Sequence, residues 1–196
     1  MGEGRSLTIL GISGSLRRGS FNTGALRAAA GVAPPGVVVE LAELRDIPLY
    51  DEDLRRERGF PPAVERLRAR IRRADALLLA TPEYNYSFTG VLKNAIDWVS
   101  RPPEPPLPGK PLAVIGVSPG VTGAIRAQWQ LRPVLAGLGA LVLFRPEVAI
   151  GDARAKFDEN GDLRDADSRQ RLAGLLEALV AWTRRLEAGA GTTKPA

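Results

Sequence analysis

The chain contains no histidine and no cysteine. That double absence excludes serine-histidine and cysteine-histidine nucleophilic systems, histidine general bases, zinc sites of Cys and His, haem or iron-sulfur ligation by either residue, and disulfides. An enzyme built from this alphabet therefore leaves its hard chemistry to a cofactor. Long apolar runs are missing too: no stretch approaches the roughly 20 residues that cross a bilayer. The opening Met1-Gly2-Glu3-Gly4-Arg5 carries no apolar secretory segment, so a cytoplasmic location is expected, with no membrane partner. Lysine is scarce as well. Lys93, Lys110, Lys156 and Lys194 are the four lysines among 27 basic residues, so the net charge of +5 is arginine charge. Acids interrupt those arginines, as in Asp51 to Arg58 and Glu65 to Arg73. The pattern is that of solvated helix faces, and no nucleic-acid partner is expected.

Hydrophobic residues make up 44% of the 196 and charged residues 25%, an ordinary globular mixture sized for one α/β domain. Residues 1–188 are expected to form that domain, and 189–196 a flexible tail. Leu7 to Ser13 reads as a buried strand, followed by a Gly/Ser-rich loop and a helical run from about Asn22 to Ala30. Val37 to Leu44 supplies a second strand. Ala76 to Ala80 and Leu112 to Val117 are short continuous apolar runs, the mark of parallel strands covered on both faces, and Leu141 to Phe144 is a fifth. Helical stripes lie between and after them: Val64, Leu67 and Ile71; Val91, Leu92, Ala95, Ile96 and Val99; Ile125 to Leu138; and Leu172 to Leu186. Five alternations of strand and helix with right-handed crossovers give a three-layer α/β sandwich. Its parallel five-stranded sheet has helices on both faces, and the leading strand order is the flavodoxin-like 2-1-3-4-5. In such a sheet ligands bind beyond the carboxyl ends of the strands near the switch point, so the loops after strands one, three and four should form the site.

Those three loops carry the unusual residues. Gly14-Ser15-Leu16-Arg17-Arg18-Gly19-Ser20-Phe21-Asn22-Thr23 leads straight into a helix and supplies N–H groups, hydroxyls and arginine for a phosphate. It lacks both the Gly-Lys-Ser/Thr ending of a P-loop and the glycine spacing of a dinucleotide fingerprint, which favours a mononucleotide. A capped turn, with Ser20 or Asn22 as the cap, accounts for part of the same pattern. The second loop, Thr81-Pro82-Glu83-Tyr84-Asn85-Tyr86-Ser87-Phe88-Thr89-Gly90, places three aromatics and an amide past a strand end. A flat heteroaromatic ring fits such a surface, although single rings there also pack on neighbouring helices. The third loop, Ser118-Pro119-Gly120-Val121-Thr122-Gly123, lets backbone approach a ligand edge or simply turns the chain. Asp158-Glu159-Asn160-Gly161-Asp162 lacks the glycine position and terminal glutamate of a calcium loop and reads as a turn.

Gly14-Ser15-Leu16-Arg17 with Ser20 and Asn22, then Pro82-Glu83-Tyr84-Asn85-Tyr86-Ser87 followed by Gly90, Leu92, Lys93, Asn94, Ala95, Asp97 and Trp98, resembles the NADPH-dependent FMN reductase family. Within it the chain is similar to the chromate and quinone reductases, from about Thr8 to Leu186. Two positions depart from the family pattern: Ala124 where relatives often have a second glycine, and Trp129 where a tyrosine is common. The resemblance implies FMN phosphate held by Ser15, Arg17, Ser20, Asn22 and Thr23. The isoalloxazine would rest on Pro82, Glu83, Tyr84, Asn85 and Tyr86, with Ser118 and Gly120 near its edge. It further implies a ping-pong cycle in which NADPH or NADH delivers hydride to flavin N5 and a quinone, chromate, azo compound or free flavin then collects the electrons. No amino-acid side chain is named as a catalytic group and no metal is implied. A homodimer or homotetramer is implied, with Arg126 and Trp129 in the contact region. The competing readings are an FMN electron carrier that does not oxidise NAD(P)H directly and a nucleic-acid-binding protein on the same scaffold. The chain's basic charge weighs against the first, and the lack of a basic-aromatic stripe against the second.

Overall fold

The computed structural model describes residues 5–190. Their order is β1 (Leu7–Ser13), α1 (Phe21–Gly31), β2 (Val37–Ala42), α2 (Glu52–Arg58), α3 (Pro62–Arg73), β3 (Ala76–Thr81), α4 (Gly90–Val99), β4 (Pro111–Val117), α5 (Ile125–Gly137), β5 (Leu141–Val142), β6 (Val148–Ile150), α6 (Ala153–Lys156) and α7 (Ala166–Ala190). All strand pairs are parallel, and the sheet runs β2-β1-β3-β4-β5 with β6 also on β4, which is the flavodoxin-like arrangement expected. The fifth strand position differs in detail. It is filled twice, by β5 beside Pro111 and Leu112 and by β6 beside Ile115 to Val117. Between the two, Pro146 has no N–H to give to a ladder. The tail expected from Gly189 overlaps the end of α7 at Gly189 and Ala190; its other residues lie outside the described ones. No helix among the described residues is long and apolar enough to cross a membrane.

Alternation along the strands builds two cores. Leu7 and Ile9 of β1, Leu78 and Ala80 of β3, and Ala113, Ile115 and Val117 of β4 face Leu26 and Ala29 of α1 and Leu172, Leu176 and Leu179 of α7. Leu10, Ile12, Leu77, Leu79, Leu112 and Val114 point the other way, onto Leu67 and Ile71 of α3, Leu92 and Ile96 of α4, and Leu131 and Leu135 of α5. Burial on both faces is why β3 and β4 read as unbroken apolar runs. One layer contact is unusually close. The Arg27 guanidinium donates to the carbonyls of Asn160 and Gly161 and pairs with Asp162 at 2.7 Å, pinning the 158–162 turn against α1. A Cβ at Gly24 would stand 1.9 Å from the Gly161 oxygen. An unobstructed helix gains about 1 kcal/mol from Gly→Ala, whereas overpacking against backbone costs about 1–3 kcal/mol. Gly24→Ala is therefore expected to lose stability in urea unfolding; a stabilised variant would show that the turn yields freely.

Candidate functional site

Three loops at the carboxyl ends of β1, β3 and β4 are locked together by side chains that reach across them. The Gly14 N–H donates to the Ala80 carbonyl at 2.8 Å, and the Thr89 hydroxyl, capping α4, donates to the Gly14 carbonyl at 2.7 Å. A Cβ at Gly14 would meet that hydroxyl at 2.8 Å, so the close approach requires glycine. The buried Asn22 amide pairs with both backbone groups of Val117, donating at 3.0 Å and accepting at 3.1 Å. This staples the start of α1 to the end of β4.

Within the first loop, Ser20 is the N-cap of α1 and its hydroxyl accepts from the Thr23 N–H at 3.2 Å. The Thr23 hydroxyl donates to Ser13 Oγ at 3.0 Å, and the Ser15 N–H donates to the same oxygen at 3.3 Å. Ser13 thus organises the loop from the last position of β1, a role its place at a strand end did not signal. Phe21 and Asn22 stand in the first helical turn, where backbone N–H groups lack intrahelical acceptors. Beside them Ser15 is half-buried and Arg17 exposed. The Asn22 side chain is fully engaged with Val117, so what it can offer a ligand is its backbone N–H.

The second loop closes on itself in a tight turn. Tyr84 and Ser87 exchange two backbone hydrogen bonds of 3.0 Å, with Asn85 at φ 50° and Tyr86 at φ 67°. Two successive positive φ values define a type I′ turn, which asparagine tolerates and a bulky aromatic does not. The turn is held from α5: Gln130 donates to the Tyr86 carbonyl at 2.8 Å and accepts from the Ser87 hydroxyl at 2.7 Å. Arg126 lies over the Tyr86 ring, 4.2 Å from its centroid, and forms an ion pair with Glu83. Pro82 is buried, whereas Tyr84, Asn85 and Tyr86 are exposed. Glu83 keeps only 8% of its side chain exposed, and its Oε2 is buried without a hydrogen-bond partner. Gln130 was not apparent from sequence because its partners lie more than 40 residues away.

In the third loop, the Ser118 N–H donates to the Ile150 carbonyl at 3.1 Å and its hydroxyl to the Gly120 carbonyl at 3.1 Å, leaving Gly120 exposed. Gly123 at φ +59° would bring a Cβ within 2.6 Å of the Ala149 carbonyl carbon. Ala124, which departs from the family's glycine, is completely buried and still adopts φ 64°. That left-handed geometry costs an alanine about 1–2 kcal/mol relative to its ordinary conformations. Toward β2, the first loop also walls a cleft of about 580 Å³ that includes Arg18 and Arg45. The Arg45 guanidinium donates to the Leu16 carbonyl at 2.6 Å. Among the described residues no group of three or more acidic side chains is placed to hold a metal ion.

The loops thus join a helix start with an exposed arginine and hydroxyls to a protruding aromatic turn above a buried carboxylate. Comparison with known proteins agrees with that geometry. Residues 7–155, more than half of the chain, match the model of the family described as NADPH-dependent FMN reductase. The chain is 56% identical over 180 residues to an NAD(P)H-dependent FMN reductase of Pseudomonas aeruginosa, covering 92% of this chain and 97% of that one. It is 43% identical over 183 residues to a quinone reductase of Escherichia coli, with the same coverage. Among solved structures, the flavoenzyme FerB, an NAD(P)H:(acceptor) oxidoreductase from Paracoccus denitrificans, superposes with a TM-score of 0.82 at 37% identity, covering 91% of this chain and 98% of that one. The chain belongs to the NADPH-dependent FMN reductase family.

Proposed function

We propose that this protein is an FMN-dependent NAD(P)H reductase of quinones, with chromate, azo compounds and free flavin as further acceptors. The observation that carries the reading is the junction of the first two loops, where Thr89 and Gly14 bring a phosphate-binding helix start against an exposed aromatic turn. FMN, with a phosphate at one end and a flat ring at the other, fits that donor set. Ser15, Arg17, Ser20 and Thr23, with the backbone at Asn22, hold the phosphate. Pro82, Glu83, Tyr84, Asn85 and Tyr86 seat the ring, and Ser118 and Gly120 border its edge. The orphaned Glu83 Oε2 supplies an acceptor of the kind the ring's N–H requires. When bound, FMN supplies a ring that takes hydride from a nicotinamide and passes electrons to an acceptor. The side chains position it, and the tether from Gln130 and Arg126 fixes the turn it lies against.

Purified protein is expected to be yellow or to take up FMN. Without oxygen, NADPH alone should bleach the bound flavin, and benzoquinone should restore the colour. A protein that takes up no FMN sinks the reading. A flavin that NADPH leaves oxidised makes the chain an electron carrier instead.

We also propose a homodimer or homotetramer. Trp129 is 59% and Phe144 56% exposed beside the buried ion pair of Arg132 and Glu147, a surface of the kind assembly covers. Light scattering at micromolar concentration should give twice or four times the chain mass. A monomer overturns this.

A further inference from the structure

Between the end of β2 and the start of α1 lies a cleft whose charge exceeds what one FMN phosphate needs. Arg17, Arg18, Arg27 and Arg45 contribute to its walls against a single carboxylate, Glu43. Arg27 is paired with Asp162. Arg17 and Arg18 are exposed and have no ion-pair partner among the described residues. Arg45 is anchored through one nitrogen to the Leu16 carbonyl, so its remaining donors stay with the cleft. If Arg17 serves the flavin phosphate, two guanidiniums remain, Arg18 and Arg45, and they outweigh Glu43. Leu16 and Leu41 add apolar wall. The volume of about 580 Å³ falls within the roughly 300–1,000 Å³ of small-molecule sites.

A second anionic group with an attached apolar ring is therefore the ligand this chemistry selects, and of the two nicotinamide donors only NADPH carries a phosphate on its adenosine ribose. We propose that the cleft receives the adenosine 2′-phosphate end of NADPH, and that Arg18 and Arg45 make NADPH the preferred donor. This rests on the reductase reading above. A guanidinium pairs with a phosphate dianion through charge-assisted, bidentate hydrogen bonds, which a ribose hydroxyl cannot match. Glu43 opposes the same phosphate, so its neutralisation should sharpen the preference.

The test uses FMN-loaded protein and benzoquinone, with each nicotinamide varied in turn. The parent is expected to favour NADPH at least tenfold in kcat/KM. Arg18→Ala with Arg45→Ala should lower kcat/KM for NADPH by about tenfold to a hundredfold through KM, as expected for one or two lost charged hydrogen bonds. The rate with NADH and the affinity for FMN should change by less than about twofold, and Glu43→Gln should raise the NADPH preference. A second readout needs no turnover: calorimetry should show adenosine 2′,5′-bisphosphate binding the parent more tightly than adenosine 5′-monophosphate does, with the difference lost in the double variant. Equal losses for NADPH and NADH, a parent without preference, or FMN affinity falling as far as NADPH affinity would each overturn the assignment, the last by returning the cleft to the flavin. If neither nicotinamide reduces the bound flavin, the reductase reading fails by itself, and the bisphosphate titration still decides whether the cleft takes that phosphate.

Discussion

Replacing Arg68 with alanine is expected to lower the melting temperature by about 6–20 °C. Arg68 lies on α3 and is 2% exposed, with its guanidinium stacked 4.0 Å above the Phe60 ring. It donates to the carbonyls of Val99 at 3.1 Å and Arg101 at 2.9 Å, and to those of Pro103 and Glu104, so one side chain closes α4 and organises the proline-rich connection after it. Burial pulls its pKa down, partly offset by Glu65, whose carboxylate stands 3.7 Å away. An arginine so displaced still carries its charge at neutral pH. The alanine variant leaves four acceptors without a donor and a void against Phe60. Losing a buried charged partner costs about 3–5 kcal/mol, and a chain of this size loses about 2–4 °C per kcal/mol. Lysine cannot reproduce the planar fork, so Arg68→Lys should recover only part of the loss. Thermal unfolding followed by circular dichroism decides the matter. A drop below 2 °C would mean the four carbonyls find water, and full recovery with lysine would mean that charge alone matters.

The second large effect belongs to Arg17, assigned to the FMN phosphate. A guanidinium gives up to two charge-assisted hydrogen bonds, each worth roughly 1.5–3 kcal/mol. Arg17→Ala should then weaken FMN binding by about tenfold to a few hundredfold, at roughly 1.4 kcal/mol per factor of ten. Riboflavin, which lacks the phosphate, should bind variant and parent alike. Excess FMN should restore most of the turnover, because the arginine anchors the cofactor and takes no part in hydride transfer. Fluorescence titration measures both affinities. Unchanged FMN binding, or an equal loss for riboflavin, removes Arg17 from the phosphate site.

The sheet order and both cores were readable because they repeat along the chain: apolar runs such as Ala76 to Ala80 and stripes such as Val64, Leu67 and Ile71 need no distant information. The helix Glu52–Arg58 was not, since none of its residues is buried and so no apolar stripe marks it. It stands on local capping instead: the Asp51 carboxylate accepts from the N–H groups of Asp53 and Leu54, and Glu52 pairs with Arg55 and Arg56. Leu141 to Phe144 was read as one strand, but pairing stops at Val142 and resumes at Val148. The first and second loops were visible as composition. What fixes them was not, because the tie between Asn22 and Val117 and the hold of Gln130 on Tyr86 join residues far apart in sequence. A caps-and-turns reading of Ser20 was correct, and its hydroxyl also stands where the phosphate reading needs it.

The split fifth strand also bears on how the protein survives crowding and heat. Strand addition between chains needs a continuous row of open backbone groups, and aggregating segments run to about six or seven residues. The β5/β6 edge offers two residues and then three, broken by the exposed Arg145 and by Pro146. The opposite edge is the vulnerable one, since β2 presents six residues, among them Val38 at 52% exposure. Its guard is Glu40, exposed and paired with Arg70 at 3.1 Å, a charge that an incoming strand would have to bury.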